Sequence, residues 1–143
     1  MVCDRYYYSG IVYSAAKQNP SLSLEWARTP EVGLPRPDLV IFLDLDQDQA
    51  KARGGWGEEA YEKAEMQRQV RELFWGLSLG RVKSGQTSSV GQELRFRQEE
   101  EDLKVVDASS SIEELSEDIW KVVQSRVEAV ERGEVGHVVR KVT

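Results

Sequence analysis

The apolar positions change period along the chain, and the changes predict its elements. Ile11 to Lys17 repeats at helical spacing and stops at Asn19-Pro20, because the residue before a proline avoids the helical region. Leu22 to Ala27 predicts a second short helix, capped by Ser21. Gly33-Leu34-Pro35-Arg36-Pro37-Asp38 reads as a stiff turn, since two prolines fix the backbone twice. Leu39 to Leu43 is a continuous apolar run, the signature of a strand buried on both faces of a parallel sheet. Asp46 then caps a short helix to Arg53. From Glu58 to Leu77 the residues Met66, Val70, Leu73, Phe74 and Leu77 share one helical face.

Leu103 to Asp107 predicts a further strand. Ser110 and Ser111, with Glu113 and Glu114, offer overlapping capping boxes to a final helix. That helix turns Ile112, Leu115, Ile119, Val122, Val123, Val127 and Val130 inward and ends near Gly133. Met1-Val2-Cys3 reads as the end of a strand. Residues 80–102, rich in Gly, Ser, Thr and Gln before an acidic run, read as a solvated, mobile insertion, and 133–143 as an aperiodic tail. Strands alternating with helices predict one α/β domain over 1–143 with a parallel sheet.

Composition narrows the function. The longest apolar run, Leu39 to Leu43, is far short of the ~18 residues a bilayer span needs. A net charge of -6 and a pI near 4.9 argue against nucleic acid and membrane as partners. A single cysteine, Cys3, excludes an internal disulfide framework, and a small buried hydrophobe is its default. The expectation is an intracellular globular domain that handles a small molecule.

Two motifs are decoys. Gly80 to Thr87 nearly spells the phosphate-binding loop G-x-x-x-x-G-K-[ST], but Gln86 stands where the lysine belongs and a helix, not a strand, precedes it. Asp44-Leu45-Asp46-Gln47-Asp48 copies the start of a calcium loop, yet Gln49 replaces the glycine and Gly55 the closing glutamate. His137 reads as a surface residue. Two constellations carry chemistry. Asp4-Arg5-Tyr6 before Ser9-Gly10 and a helix fits either an anion or metal–phosphate site or a structural ion pair with a cap. Arg53 with Gly54-Gly55-Trp56-Gly57-Glu58-Glu59 fits either a lid over a nucleotide or a plain connector.

The order Asp4-Arg5-Tyr6, Ser9-Gly10, Ala16-Lys17, Trp26 and Gly33 to Val40 resembles thymidylate kinases of the eukaryotic type. Arg53, Gly57 to Glu62, Gln67 and Val106-Asp107-Ala108-Ser109 continue the resemblance in order. It implies a P-loop nucleoside monophosphate kinase-like fold, an α/β parallel sheet flanked by helices. It implies ATP and dTMP as substrates, Mg2+ with the ATP, a cytoplasmic or nuclear location, and compatibility with a homodimer. Carried over, Asp4 and Arg5 are the catalytic pair, Arg5 clamping phosphate and Asp4 reaching the metal only through water. Ser9, Gly10 and Tyr13 line the thymidine pocket, and Tyr61 meets the deoxyribose. Arg53, Asp107, Ala108 and Ser109 flank the adenine, and residues 54–59 form the lid. Ala60 stands where the family carries an arginine.

The resemblance also implies a sheet of order 2-3-1-4-5, of which this sequence would hold the later strands. The first strands and the true phosphate loop would be missing. The expectation is therefore the C-terminal part of a dTMP kinase, inactive and marginally stable as an isolated chain. The alternatives are a non-catalytic nucleotide-binding or kinase-interacting pseudo-kinase, and a structural interaction protein.

Overall fold

The computed structural model describes residues 1–19, 22–52, 60–82 and 94–143. In chain order the elements are α1 (Tyr7–Ala15), α2 (Leu24–Arg28), a 3-10 turn (Thr29–Glu31), β1 (Val40–Asp44), α3 (Gln47–Ala52) and α4 (Ala60–Ser78). They continue with β2 (Arg81–Val82), β3 (Leu94–Arg95), α5 (Arg97–Asp102), β4 (Leu103–Asp107) and α6 (Ile112–Glu131). β1 and β4 pair in parallel, from Val40 opposite Leu103 to Asp44 opposite Asp107. Parallel neighbours need a crossover, and α3 and α4 lie between them in sequence. β2 and β3 form a short antiparallel pair. The chain thus has the α/β architecture of a parallel pair with helices around it.

The core follows the predicted periods. Val70, Phe74 and Leu77 of α4 are buried, with Met66 and Leu73 packed beside them. Phe74 stacks on Phe42 of β1 with centroids 4.2 Å apart and planes 10° from parallel. Tyr7, Tyr8, Ile11 and Val12 of α1 join the same cluster. α4 stops at Gly80, whose N–H donates to the Leu77 carbonyl at 2.9 Å and whose φ is +65°. An added Cβ there would press on the Glu100 side chain, which can swing aside, so it is the left-handed turn that favours glycine. The first residue of the near phosphate loop is therefore a helix terminator.

Several elements depart from the sequence reading. α2 is capped by Ser23, whose Oγ accepts the Trp26 N–H at 3.1 Å, whereas Ser21 lies outside the described residues. Met1 to Cys3 form no strand and are exposed, Cys3 included, because no described strand lies beside them. Among the described residues β1 is covered mainly on one face: Val40 and Phe42 pack on the core, but Leu43 is 45% exposed. α6 forms where its pattern places it, with the Ser111–Glu114 capping box, yet buries no residue. Among the described residues its main support is β4, and Ile112 is 83% exposed.

The two segments read as irregular also contribute order. At the described ends of 80–102 stand β2, β3 and α5, and Glu99 and Asp102 of α5 are fully buried. The tail residue Val142 is in the core. Its N–H donates to the Leu34 carbonyl at 2.9 Å and its carbonyl accepts from Gly33 at 2.8 Å, pinning the tail along the proline-rich turn.

Candidate active site

The ladder ends with Asp44 beside Asp107, at the carboxyl ends of the parallel strands where open α/β sheets bind ligands. The Ala108 N–H donates to the Asp44 carbonyl at 2.7 Å. The Ser109 N–H donates to Asp107 Oδ1 at 2.8 Å, and hydrogen bonds from the Ser109 side chain and then this N–H hold the Asp107 carboxyl below its ordinary range. Asp44 itself is clamped from α4. Arg71 donates from Nε to Oδ1 at 2.6 Å and from Nη2 to Oδ2 at 2.8 Å. This fork, with a further hydrogen bond from Trp75, holds the Asp44 carboxyl low despite its burial. Arg71 Nη1 also lies 3.7 Å from Asp46. Asp46 starts α3 by accepting the Asp48 N–H at 2.9 Å.

A second group sits at the start of α1. Arg5 has φ +67°, a left-handed backbone that a long side chain rarely adopts. Its guanidinium lies 5.6 Å from the Tyr13 ring centroid. Among the described residues neither Asp4 nor Arg5 makes an ion pair, and both are exposed. Ser9 and Tyr13 are half-buried, four residues apart on one helical face, and Gly10 is exposed between them. The Tyr6 hydroxyl donates to the Pro35 carbonyl at 3.1 Å, which ties this group to the 33–38 turn. So the structure brings Arg5 to Tyr13, and Asp107, Ala108 and Ser109 to Asp44. Arg53, residues 54–59 and the side chain of Tyr61 lie outside the described residues.

Sequence reasoning missed two charged clusters. One is the Asp44–Arg71–Asp46 cluster above; its signal was an acid closing an apolar strand. The other lies under the proline-rich turn. Arg36 donates to both carboxylate oxygens of the fully buried Asp102, the Nη2 to Oδ1 bond being 2.8 Å. Arg28 Nε donates to the buried Glu99 Oε1 at 2.7 Å. Glu99 and Asp102 are one helical turn apart, a spacing that places both on one face of α5. Next to them burial pushes the Tyr7 hydroxyl up to about 12. This cluster locks the turn to α5 and has the character of a scaffold. Among the described residues no three His, Cys, Asp or Glu side chains gather as a metal cage. None of the described helices is long and apolar enough to cross a membrane.

A family model described as thymidylate kinase matches residues 1–119. A thymidylate kinase of Schizosaccharomyces pombe is 42% identical over 124 residues, 87% of this chain and 50% of that protein. One of Danio rerio is 37% identical over 140 residues, 98% of this chain and 57% of that protein. The human thymidylate kinase is 38% identical over 119 residues, 83% of this chain and 47% of that protein. Among solved structures, thymidylate kinase from Candida albicans superposes with a TM-score of 0.64 at 24% identity, over 97% of this chain and 59% of that one. The chain thus spans about half the length of these relatives.

Proposed function

The chain belongs to the thymidylate kinase family, and on that premise we propose that it supplies the acceptor and adenine sides of a kinase that phosphorylates dTMP with ATP. The observation that carries this reading is Arg5. It is an exposed guanidinium held on a strained backbone over Tyr13, without an ion-pair partner among the described residues. Such a group is preset for a phosphate, since its fork matches two oxygens at once. A dTMP phosphate oxygen attacks the γ-phosphorus, the bond to the β–γ bridging oxygen breaks, and ADP leaves. The work asked of the protein is positioning and charge stabilisation.

In this reading Arg5 clamps the transferred group and steadies the charge that develops on it. Ser9, Gly10 and Tyr13 seat the thymidine, and Tyr61 rejects a 2′-hydroxyl by its bulk. Arg53 and the 107–109 turn flank the adenine, and residues 54–59 close over the phosphates. Mg2+ takes few protein carboxylates and keeps waters and phosphate oxygens, so an exposed Asp4, without an ion-pair partner among the described residues, fits it through a water. When bound with ATP, the metal offsets phosphate charge.

A second reading, a nucleotide-binding module without turnover, is favoured by one sequence fact. Within residues 1–143 no stretch fits G-x-x-x-x-G-K-[ST], and Gly80 of the nearest one terminates α4. Backbone N–H groups of that loop normally cradle the β- and γ-phosphates. Residues 1–143 alone are therefore expected to bind dTMP, more weakly as Arg5→Ala, with turnover far below the ~1–100 s⁻¹ usual for kinases. Calorimetric titration with dTMP and a coupled assay with ATP, Mg2+ and dTMP test both parts. A folded chain that ignores dTMP would overturn the acceptor assignment, and full turnover would overturn the second reading.

A further inference from the structure

We propose that Arg71 is a positioning residue for the adenine end of the site: one guanidinium on α4 ties the start of α3 and the 107–109 turn to a common point. The inference rests on the adenine assignment above and adds to it a residue that does not touch the nucleotide. The chain of contacts is short. Arg71 grips both Asp44 oxygens, at 2.6 and 2.8 Å. The Asp44 carbonyl holds the Ala108 N–H at 2.7 Å, which fixes where the turn leaves β4. The same guanidinium reaches Asp46 at 3.7 Å, and Asp46 begins α3. Arg53 is the next residue after α3, and α4 begins directly after residues 54–59.

Two segments, the start of α3 and the strand end that holds the 107–109 turn, therefore meet at Arg71. The Arg71 side chain is 42% exposed while Asp44 is 10% exposed, so the pair also steadies the fold, and the test below separates that from orientation by reading the turn and the ADP affinity apart from stability. A fork with fixed geometry adds orientation. The Asp44 carboxyl faces Arg71, Trp75 and the neighbouring Asp107, and among these Arg71 is the cation. Arg68, on the same helix, pairs with Glu65 one turn away and is the natural control.

The test uses amide spectra of the 143-residue chain as wild type, Arg71→Gln, Arg71→Lys and Arg68→Gln. In Arg71→Gln the Ala108 and Ser109 resonances are expected to move, and the Asp44 midpoint, followed at the Ala108 amide, to rise toward the ordinary carboxylate range. Arg71→Lys should restore the midpoint in part, and Arg68→Gln should change neither. ADP affinity should fall about three- to fivefold in Arg71→Gln, the equivalent of one partly exposed pair, with dTMP affinity unchanged. Unmoved Ala108 and Ser109 resonances would overturn the inference, as would unchanged ADP affinity in a protein whose wild type binds ADP. A wild type that binds no ADP would sink the adenine assignment instead, and the spectra would still decide the role of Arg71. Should Arg71→Gln fail to fold, Arg71→Lys carries the test: Ala108 and Ser109 resonances and an Asp44 midpoint all identical to wild type would overturn the inference.

Discussion

Replacing Arg36 by alanine should cost the fold more than any surface change of similar size. The Arg36 side chain is 9% exposed and Asp102 is fully buried. The guanidinium satisfies both Asp102 oxygens, the Gln98 carbonyl at 3.3 Å and the exposed Glu101 carboxylate. Among the described residues, removing it leaves Asp102 the side chain of Arg140, through one bond of 3.3 Å. Breaking a buried pair by deleting one partner typically costs ~3–5 kcal/mol, because a charge stays buried without compensation. Arg140 partly compensates, so the lower end, about 3 kcal/mol, is expected. With a urea m-value of about 2 kcal/mol/M, the midpoint should fall by about 1.5 M. The assay is urea denaturation followed by circular dichroism at neutral pH. The double variant Arg36→Met with Asp102→Leu separates charge burial from packing. It removes both charges, and should recover most of the loss. An Arg36→Ala midpoint within ~0.3 M of wild type, about 0.6 kcal/mol at that m-value, would refute the reasoning. So would a double variant as unstable as the single.

Arg5→Gly should stabilise the fold by about 1 kcal/mol, since glycine adopts the left-handed backbone freely, while dTMP affinity falls; urea melts and calorimetry read the two effects. Tyr7 and Tyr8 are pushed up chiefly by burial, Tyr7 to about 12. Their folded state holds the proton more tightly than the unfolded chain, so this contribution is complete below about pH 10 and is lost as pH rises toward 12. An absorbance titration should show both ionising only with unfolding; early ionisation would place them in contact with water. Ser111→Ala removes the capping box of α6 and should cost about 1 kcal/mol, read as lost helicity and a lower urea midpoint.

The elements whose cause is local were legible in the residues. α4 keeps its apolar face at helical steps, Ser111 and Glu114 satisfy each other within one turn, and Asp46 starts α3 with its own side chain. The α/β class followed from these alternations. Of the candidate site residues, Asp107-Ala108-Ser109 falls at the end of β4, Arg5 just precedes α1, and Ser9, Gly10 and Tyr13 lie along it. What the sequence left undecided depends on partners distant in the chain. Glu99 and Asp102 look like solvated members of an acidic run until Arg28 and Arg36 arrive, 71 and 66 residues away, and make burial tolerable. Val142 has no period to mark it, but an edge turn at Leu34 takes its N–H. α6 has an apolar face as clear as that of α4, and only the absence of a covering layer among the described residues leaves it exposed. Arg71 is one of two arginines on a charged helix; the parallel register, which puts Asp44 at the carboxyl end opposite Asp107, makes it the clamp of that end. Periodicity tells which face of an element is apolar. Which charges may be buried, and which face finds a cover, is set by non-local pairing, where the cost of desolvation is met only when the partners meet in three dimensions.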